Sequence, residues 1–150
     1  TGVQTCALPI LSSFGGKIFQ LGSEHGKGSQ MKVINQLLCG VHIAAAAEAL
    51  SMAQQSGLPL DVSLEVLKSG AASSWMLGDR GPRMVAQDFD TVMSAVDIFV
   101  KDMSLVLDSA REGKFPASMA HAAYLQYIKA SGDGFGKLDD SAVMLNYIKK

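Results

Sequence analysis

The run Gly26-Lys27-Gly28-Ser29-Gln30-Met31-Lys32-Val33-Ile34-Asn35-Gln36 holds the side chains best suited to chemistry. Lys32 is followed by amides at i+3 and i+4, Asn35 and Gln36, a spacing that places all three on one helix face. A lone cation beside two neutral hydrogen-bonding groups suits proton transfer to or from a hydroxyl or carbonyl, because the amides orient a substrate without pinning the ammonium as a carboxylate would. A lysine works in both directions once burial or a cationic neighbour lowers its pKa from about 10.4 toward neutrality. Gly26 and Gly28 just ahead of it let backbone or substrate approach closely. By spacing alone, the same residues also describe the polar face of an ordinary surface helix.

Other groupings are less specific. In Phe99-Val100-Lys101-Asp102 the Lys-Asp pair reads equally as a solvated helix face, with Asp102 buttressing a lysine or belonging to its own helix. Ser73-Ser74-Trp75 sets the single tryptophan beside two hydroxyls in a small-residue turn, either as a core aromatic or as a pocket wall. The three histidines, His25, His42 and His121, form no constellation, and no Cys/His/Asp spacing supports a metal. Gly26-Lys27-Gly28 is not a dinucleotide fingerprint, which needs a strand, a turn and a third glycine around it.

These residues must be carried by helices. Residues 29–56 read as one long helix capped by Ser29 and stopped by Gly57 and Pro59, with Met31, Ile34, Leu37, Leu38, Val41, Ala45, Ala49 and Met52 at helical spacing. Its opposite face, Cys39, Gly40, Ala44, Ala46 and Ala47, is also small and apolar, the mark of a buried helix. At about 1.5 Å per residue it is roughly 40 Å long. His42 and Glu48 interrupt the run and argue against a membrane span. Beyond it, Asp61 is expected to cap a helix over 62–69 closed by Gly70, and a turn at 71–75 leads into another that Gly78, Gly81 and Pro82 break. Irregular chain is expected over 88–94, and an amphipathic helix over 97–112 with Phe99, Val100, Met103, Val106, Leu107 and Ala110 inward and Gly113 at its end. A helix from Pro116 to about Ala130, a loop over 131–136 and a last helix capped by Asp139 or Asp140 complete the set. Ahead of all of them, Ile18, Phe19 and Leu21 between glycines read as a short strand. The expectation is an all-α, multi-helical domain around one long central helix, preceded by a remnant strand.

With 150 residues, 48% of them hydrophobic and 18% charged, the chain can bury a real core, and a net charge of -1 gives no basis for nucleic-acid or anionic-membrane partners. Two cysteines, Cys6 and Cys39, make no disulfide framework and fit a reducing compartment, cytoplasmic or mitochondrial. Residues 1–10, T-G-V-Q-T-C-A-L-P-I, read as the conceptual translation of a sequencing adapter rather than as structure; the other reading is a genuine terminal segment.

Gly-x-Gly-x-x-x-Lys followed by amides, from Gly26 to Gln36, resembles the catalytic helix of the β-hydroxyacid dehydrogenases, the 3-hydroxyisobutyrate dehydrogenase family. Family members join a Rossmann domain through a long helix to a helical domain of the 6-phosphogluconate dehydrogenase C-terminal type. The resemblance covers roughly residues 14–148. It divides the chain into residues 11–28, an edge of the Rossmann domain, and 29–150, a helical catalytic and dimerising domain. It implies NAD or NADP as cofactor, a small hydroxy acid as substrate and a homo-oligomer built through the helical domain. It puts Lys32 at the acid/base position, and Gln36 where the family carries asparagine, with Asn35 beside it. The longer reach of Gln36, together with Val41 to Ala49, resembles the branch that acts on threonate and similar sugar acids. By the same resemblance Lys101 and Phe99 contact the cofactor, Ser74 and Trp75 line the substrate pocket with Gly28 and Ser29, and residues 134–142 match a C-terminal Gly-x-x-Asp-x-Ser segment. No glycine-rich dinucleotide turn is present, so the chain is expected to be a fragment, inactive by itself. A non-catalytic helical self-association domain is the alternative.

Overall fold

The computed structural model describes residues 9–148, in two compact units that divide between Lys32 and Val33. The division falls inside the long helix. In the first unit a helical turn over 9–12 is closed by the Gly15 N–H donating to the Leu11 carbonyl at 2.8 Å. The strand expected at Ile18 to Leu21 does not form: residues 17–22 have no regular structure, and no other described segment offers them a ladder. Residues 1–8, most of the segment read as adapter-derived, lie outside the described residues.

The α-helices between Lys27 and Ala130 are amphipathic or small-residue segments. Helix α1 is Lys27–Gln55, α2 Leu60–Ser69, α3 Trp75–Ala86, α4 Val96–Glu112 and α5 Ser118–Ala130. A π-helical turn, Ser131–Phe135, and a 3-10 helix, Asp140–Asn146, follow. Helix α1 starts before Ser29, which therefore lies inside it. It stops where expected: the Leu58 N–H donates to Ala53 and that of Gly57 to Gln54, both at 3.0 Å, the paired bonds of a Schellman ending.

The buried face of α1 is not the one its large residues suggest. Gly40, Ile43, Ala44, Ala47 and Leu50 face the core, whereas Ile34, Leu38 and Met52 are 53%, 51% and 69% exposed. Small residues win because they let a neighbouring helix come close: a Cβ at Gly40 would collide with the Met103 Sδ of α4. By length and composition α1 could also cross a membrane, but its small-residue face is core here.

Helix α3 runs through Gly81 and Pro82, which were expected to break it. Gly81 has no Cβ to meet the proline ring, which removes one of the clashes that disfavour helix before proline. That bare position also receives Leu64 of α2. Ser74 caps α3 by accepting from the Leu77 N–H at 3.0 Å. Asp61 does not cap α2; it lies in the first turn, after Pro59. Helix α4 ends with Lys114, not Gly113, in the left-handed region (φ 51°), the Phe115 N–H reaching back to Ala110 at 2.8 Å.

Segment 136–140 is stitched to the chain leading into α4. Val96 donates to Leu138 at 2.9 Å, Asp97 to Gly136 at 3.0 Å, Asp139 to Phe89 at 2.9 Å and Asp140 to Ser94 at 2.6 Å. Beneath this seam lie two fully buried carboxylates. Asp140 takes a two-pronged bond from Arg80 (3.0 and 2.9 Å). Asp139 accepts from Arg83 (3.0 Å), the Met93 N–H (3.0 Å) and the Ser141 hydroxyl (2.5 Å), and by accepting also from the Ser141 N–H at 3.1 Å it caps the last helix as expected. Burial pushes both carboxyls upward. For Asp139 the bonds from Ser141 and Met93 and the charge of Arg83 outweigh that and hold it low, whereas for Asp140 burial wins over Arg80.

Candidate functional site

Helix α1 presents its amides where α4 passes. The Gln36 Nε2 donates to the Asp102 Oδ2 at 2.6 Å, across 66 residues of sequence. The other Asp102 oxygen is 3.0 Å from the Lys101 Nζ, and the Asn35 amide donates to the Gln36 Oε1 at 3.0 Å and to the Cys39 Sγ at 3.3 Å. The result is a polar line, Asn35, Gln36, Asp102, Lys101, drawn from two helices. Asp102 is the hub, its side chain 14% exposed, while Lys101 is 67% exposed and projects its ammonium outward. A part-buried carboxylate between an amide and an ammonium fixes both, and charge-assisted bonds are the stronger kind.

The crossing is close because the residues beneath it are matched in size. One turn along α1 from Gln36, Gly40 admits Met103 of α4, and the Gly40 carbonyl accepts from the buried Tyr127 hydroxyl of α5 at 2.8 Å. The Tyr127 ring stacks on Phe99, with centroids 5.2 Å apart and planes inclined by 20°. Phe99 is 3% exposed, so its ring belongs to the core, whereas Lys101 of that motif is exposed.

Of the residues singled out by sequence, Asn35, Gln36 and Lys101 are brought together in the second unit. Lys32, Gly28 and Ser29 are exposed residues of the first unit. Ser74 lines a cavity of about 330 Å³ with His42, Ala46 and Ser73. Trp75, at the head of α3, is 72% exposed, which rules out the core-aromatic reading. His25 and His121 are exposed. The sequence pointed to Asp102 only as a buttress of uncertain partner; its link to Gln36 had no local signal. Nor did Tyr127, or the arginines Arg80 and Arg83 that meet an acidic pair 60 and 56 residues away.

Amides of one long helix and a lysine of α4 thus meet where the two helices cross. The chain belongs to the family described as NAD-binding of NADP-dependent 3-hydroxyisobutyrate dehydrogenase, whose model matches residues 26–147. Within it, the chain is 47% identical over 135 residues to the L-threonate dehydrogenase of Cupriavidus necator, covering 90% of this chain and 45% of that protein. It is 48% identical over 136 residues to the L-threonate dehydrogenase of Escherichia coli, covering 91% of this chain and 45% of that protein. The crystal structure of a 3-hydroxyisobutyrate dehydrogenase from Salmonella typhimurium superposes with a TM-score of 0.90 at 44% identity, over 95% of this chain and 50% of that one. The chain thus spans about half the length of the curated relatives it matches.

Proposed function

We propose that this chain supplies the proton-transferring and substrate-orienting part of an NAD(P)-dependent dehydrogenase of small 3-hydroxy acids, of the threonate type. The observation that carries the reading is the polar line from Gln36 through Asp102 to Lys101, which joins a candidate substrate amide to a candidate cofactor cation. Its chemistry follows from the parts. Lys32, matched to the family motif by its spacing from Asn35 and Gln36, takes the hydroxyl proton on oxidation and returns it to the carbonyl oxygen on reduction. Gln36 and Asn35 orient the substrate, and Ser74 and Trp75 form further parts of its surroundings. An exposed ammonium restrained by a carboxylate fits the anionic or amide oxygens of a nicotinamide nucleotide, so Lys101 is the cofactor contact. The bound nicotinamide supplies hydride transfer.

The test is to fuse the chain behind the dinucleotide-binding half of the Escherichia coli relative and follow oxidation of L-threonate. The fusion is expected to turn over with NAD+. Lys101→Ala is expected to raise the cofactor KM about tenfold, the loss of one charge-assisted bond, with a much smaller change in the substrate KM. A folded fusion without turnover, or a Lys101→Ala variant whose cofactor KM is unchanged, contradicts the reading.

A further inference from the structure

Tyr127 is a buried polar group that the proposed chemistry leaves unused. It is fully buried, and its hydroxyl donates to a main-chain carbonyl inside another helix, Gly40 of α1, at 2.8 Å. Its ring lies on Phe99 of α4. One side chain of α5 therefore grips both helices that carry the polar line, by different atoms. The grip is at the right height: Gly40 is one turn from Gln36 on the same face, and Phe99 lies one turn from Asp102. Between them Gly40 leaves no room for a Cβ beside Met103, so the two helices can slide only by opening that contact. Burial, and after it the charge of Asp140, push the Tyr127 phenol well above its ordinary range, so it remains a donor.

We infer that Tyr127 is a positioning residue that sets the height of α1 against α4, and through it the bond between Gln36 and Asp102 and the placement of Lys101. The inference rests on the reading of those residues as the site, but its test does not depend on turnover. A hydroxyl bonded to a helix carbonyl contributes modestly to stability. What it adds here is register: without it, α1 is free to settle at a slightly different height, and a 2.6 Å bond one turn away lengthens.

The experiment follows the side-chain amide signals of Gln36 by NMR in the 15N-labelled 150-residue chain, assigned by their loss in Gln36→Leu. Asp102→Asn gives the shift that accompanies loss of the carboxylate partner. Tyr127→Phe keeps the ring and removes the hydroxyl; Phe99→Leu keeps the hydroxyl and removes the stacking. Both are expected to move the Gln36 signals in the direction set by Asp102→Asn. Leu64→Ala, a core truncation between α2 and α3, is expected to lower the melting temperature while leaving those signals in place. Should Tyr127→Phe fail to fold, Phe99→Leu makes the same comparison. Gln36 signals at their original position in the folded hydroxyl and stacking variants overturn the inference, as does a shift of equal size in Leu64→Ala. An inactive fusion in the turnover assay leaves this result untouched, because the amide reports position.

Discussion

Gln36 differs from an asparagine by one methylene, and the structure gives that methylene a job: it carries the amide across to Asp102. Residue types and local spacing were enough to single out Lys32, Asn35, Gln36 and Lys101, because a helix makes neighbours of i, i+3 and i+4. They were not enough to pair Gln36 with Asp102, a contact that only the crossing of two helices creates. The buried acids Asp139 and Asp140 show the same division, since a cap at Asp139 is legible locally and the arginines of α3 are not. Their titration gives opposite slopes. Asp139 has a lowered pKa in the folded chain, so its contribution is complete above the unfolded value, about 3.9, and is lost as pH falls through the folded one. Asp140 has a raised pKa, so its contribution is present below about 3.9 and declines as pH rises through the folded value. Urea unfolding followed from about pH 2 to pH 7 is therefore expected to show a flatter acid limb in Asp139→Asn. Asp140→Asn is expected to lose a decline above about pH 4. Each variant also lowers stability throughout, by about 1–3 kcal/mol, because a charge-assisted bond to an arginine becomes a neutral one while Asp79 remains as that arginine's other partner. Identical changes of shape in the two variants contradict this assignment.

At the scale of elements, periodicity located each α-helix between Lys27 and Ala130, and end signals were right where local chemistry alone decides them, as at Gly57 and Asp139. The misreadings share a cause. Which face of α1 is buried, whether Pro82 breaks α3 and whether residues 17–22 form a strand all depend on a neighbour that local sequence does not name. Helix α1 is apolar all round, so hydrophobicity could not choose its face; room for Met103 at Gly40 did. Gly40→Ala is accordingly expected to destabilise the chain by about 1–3 kcal/mol, the range for overpacking a filled core. Denaturant unfolding reads this directly. Combining it with Met103→Ala should cost less than the two single losses added together, since the smaller side chain makes space for the new methyl. Strict additivity would show that the two positions do not meet.

For the molecule as a whole, the seam between 89–97 and 136–140, locked by the Arg80 and Arg83 ion pairs, holds the start of α4, and α4 carries Lys101 and Asp102 to α1. The fold class was legible because almost all of the apolar residues recur at helical spacing and few at strand spacing. The family was legible from the short motif around Lys32, and the match over 26–147 confirms it. The central claim is that this helical domain contributes the acid/base lysine of a hydroxyacid dehydrogenase. The most direct measurement is kcat for L-threonate oxidation in the fusion carrying Lys32→Ala, with circular dichroism to verify folding. The account predicts a fall of about a hundredfold or more, the usual contribution of a general acid–base group. A folded Lys32→Ala fusion that turns over at the rate of its parent would contradict it.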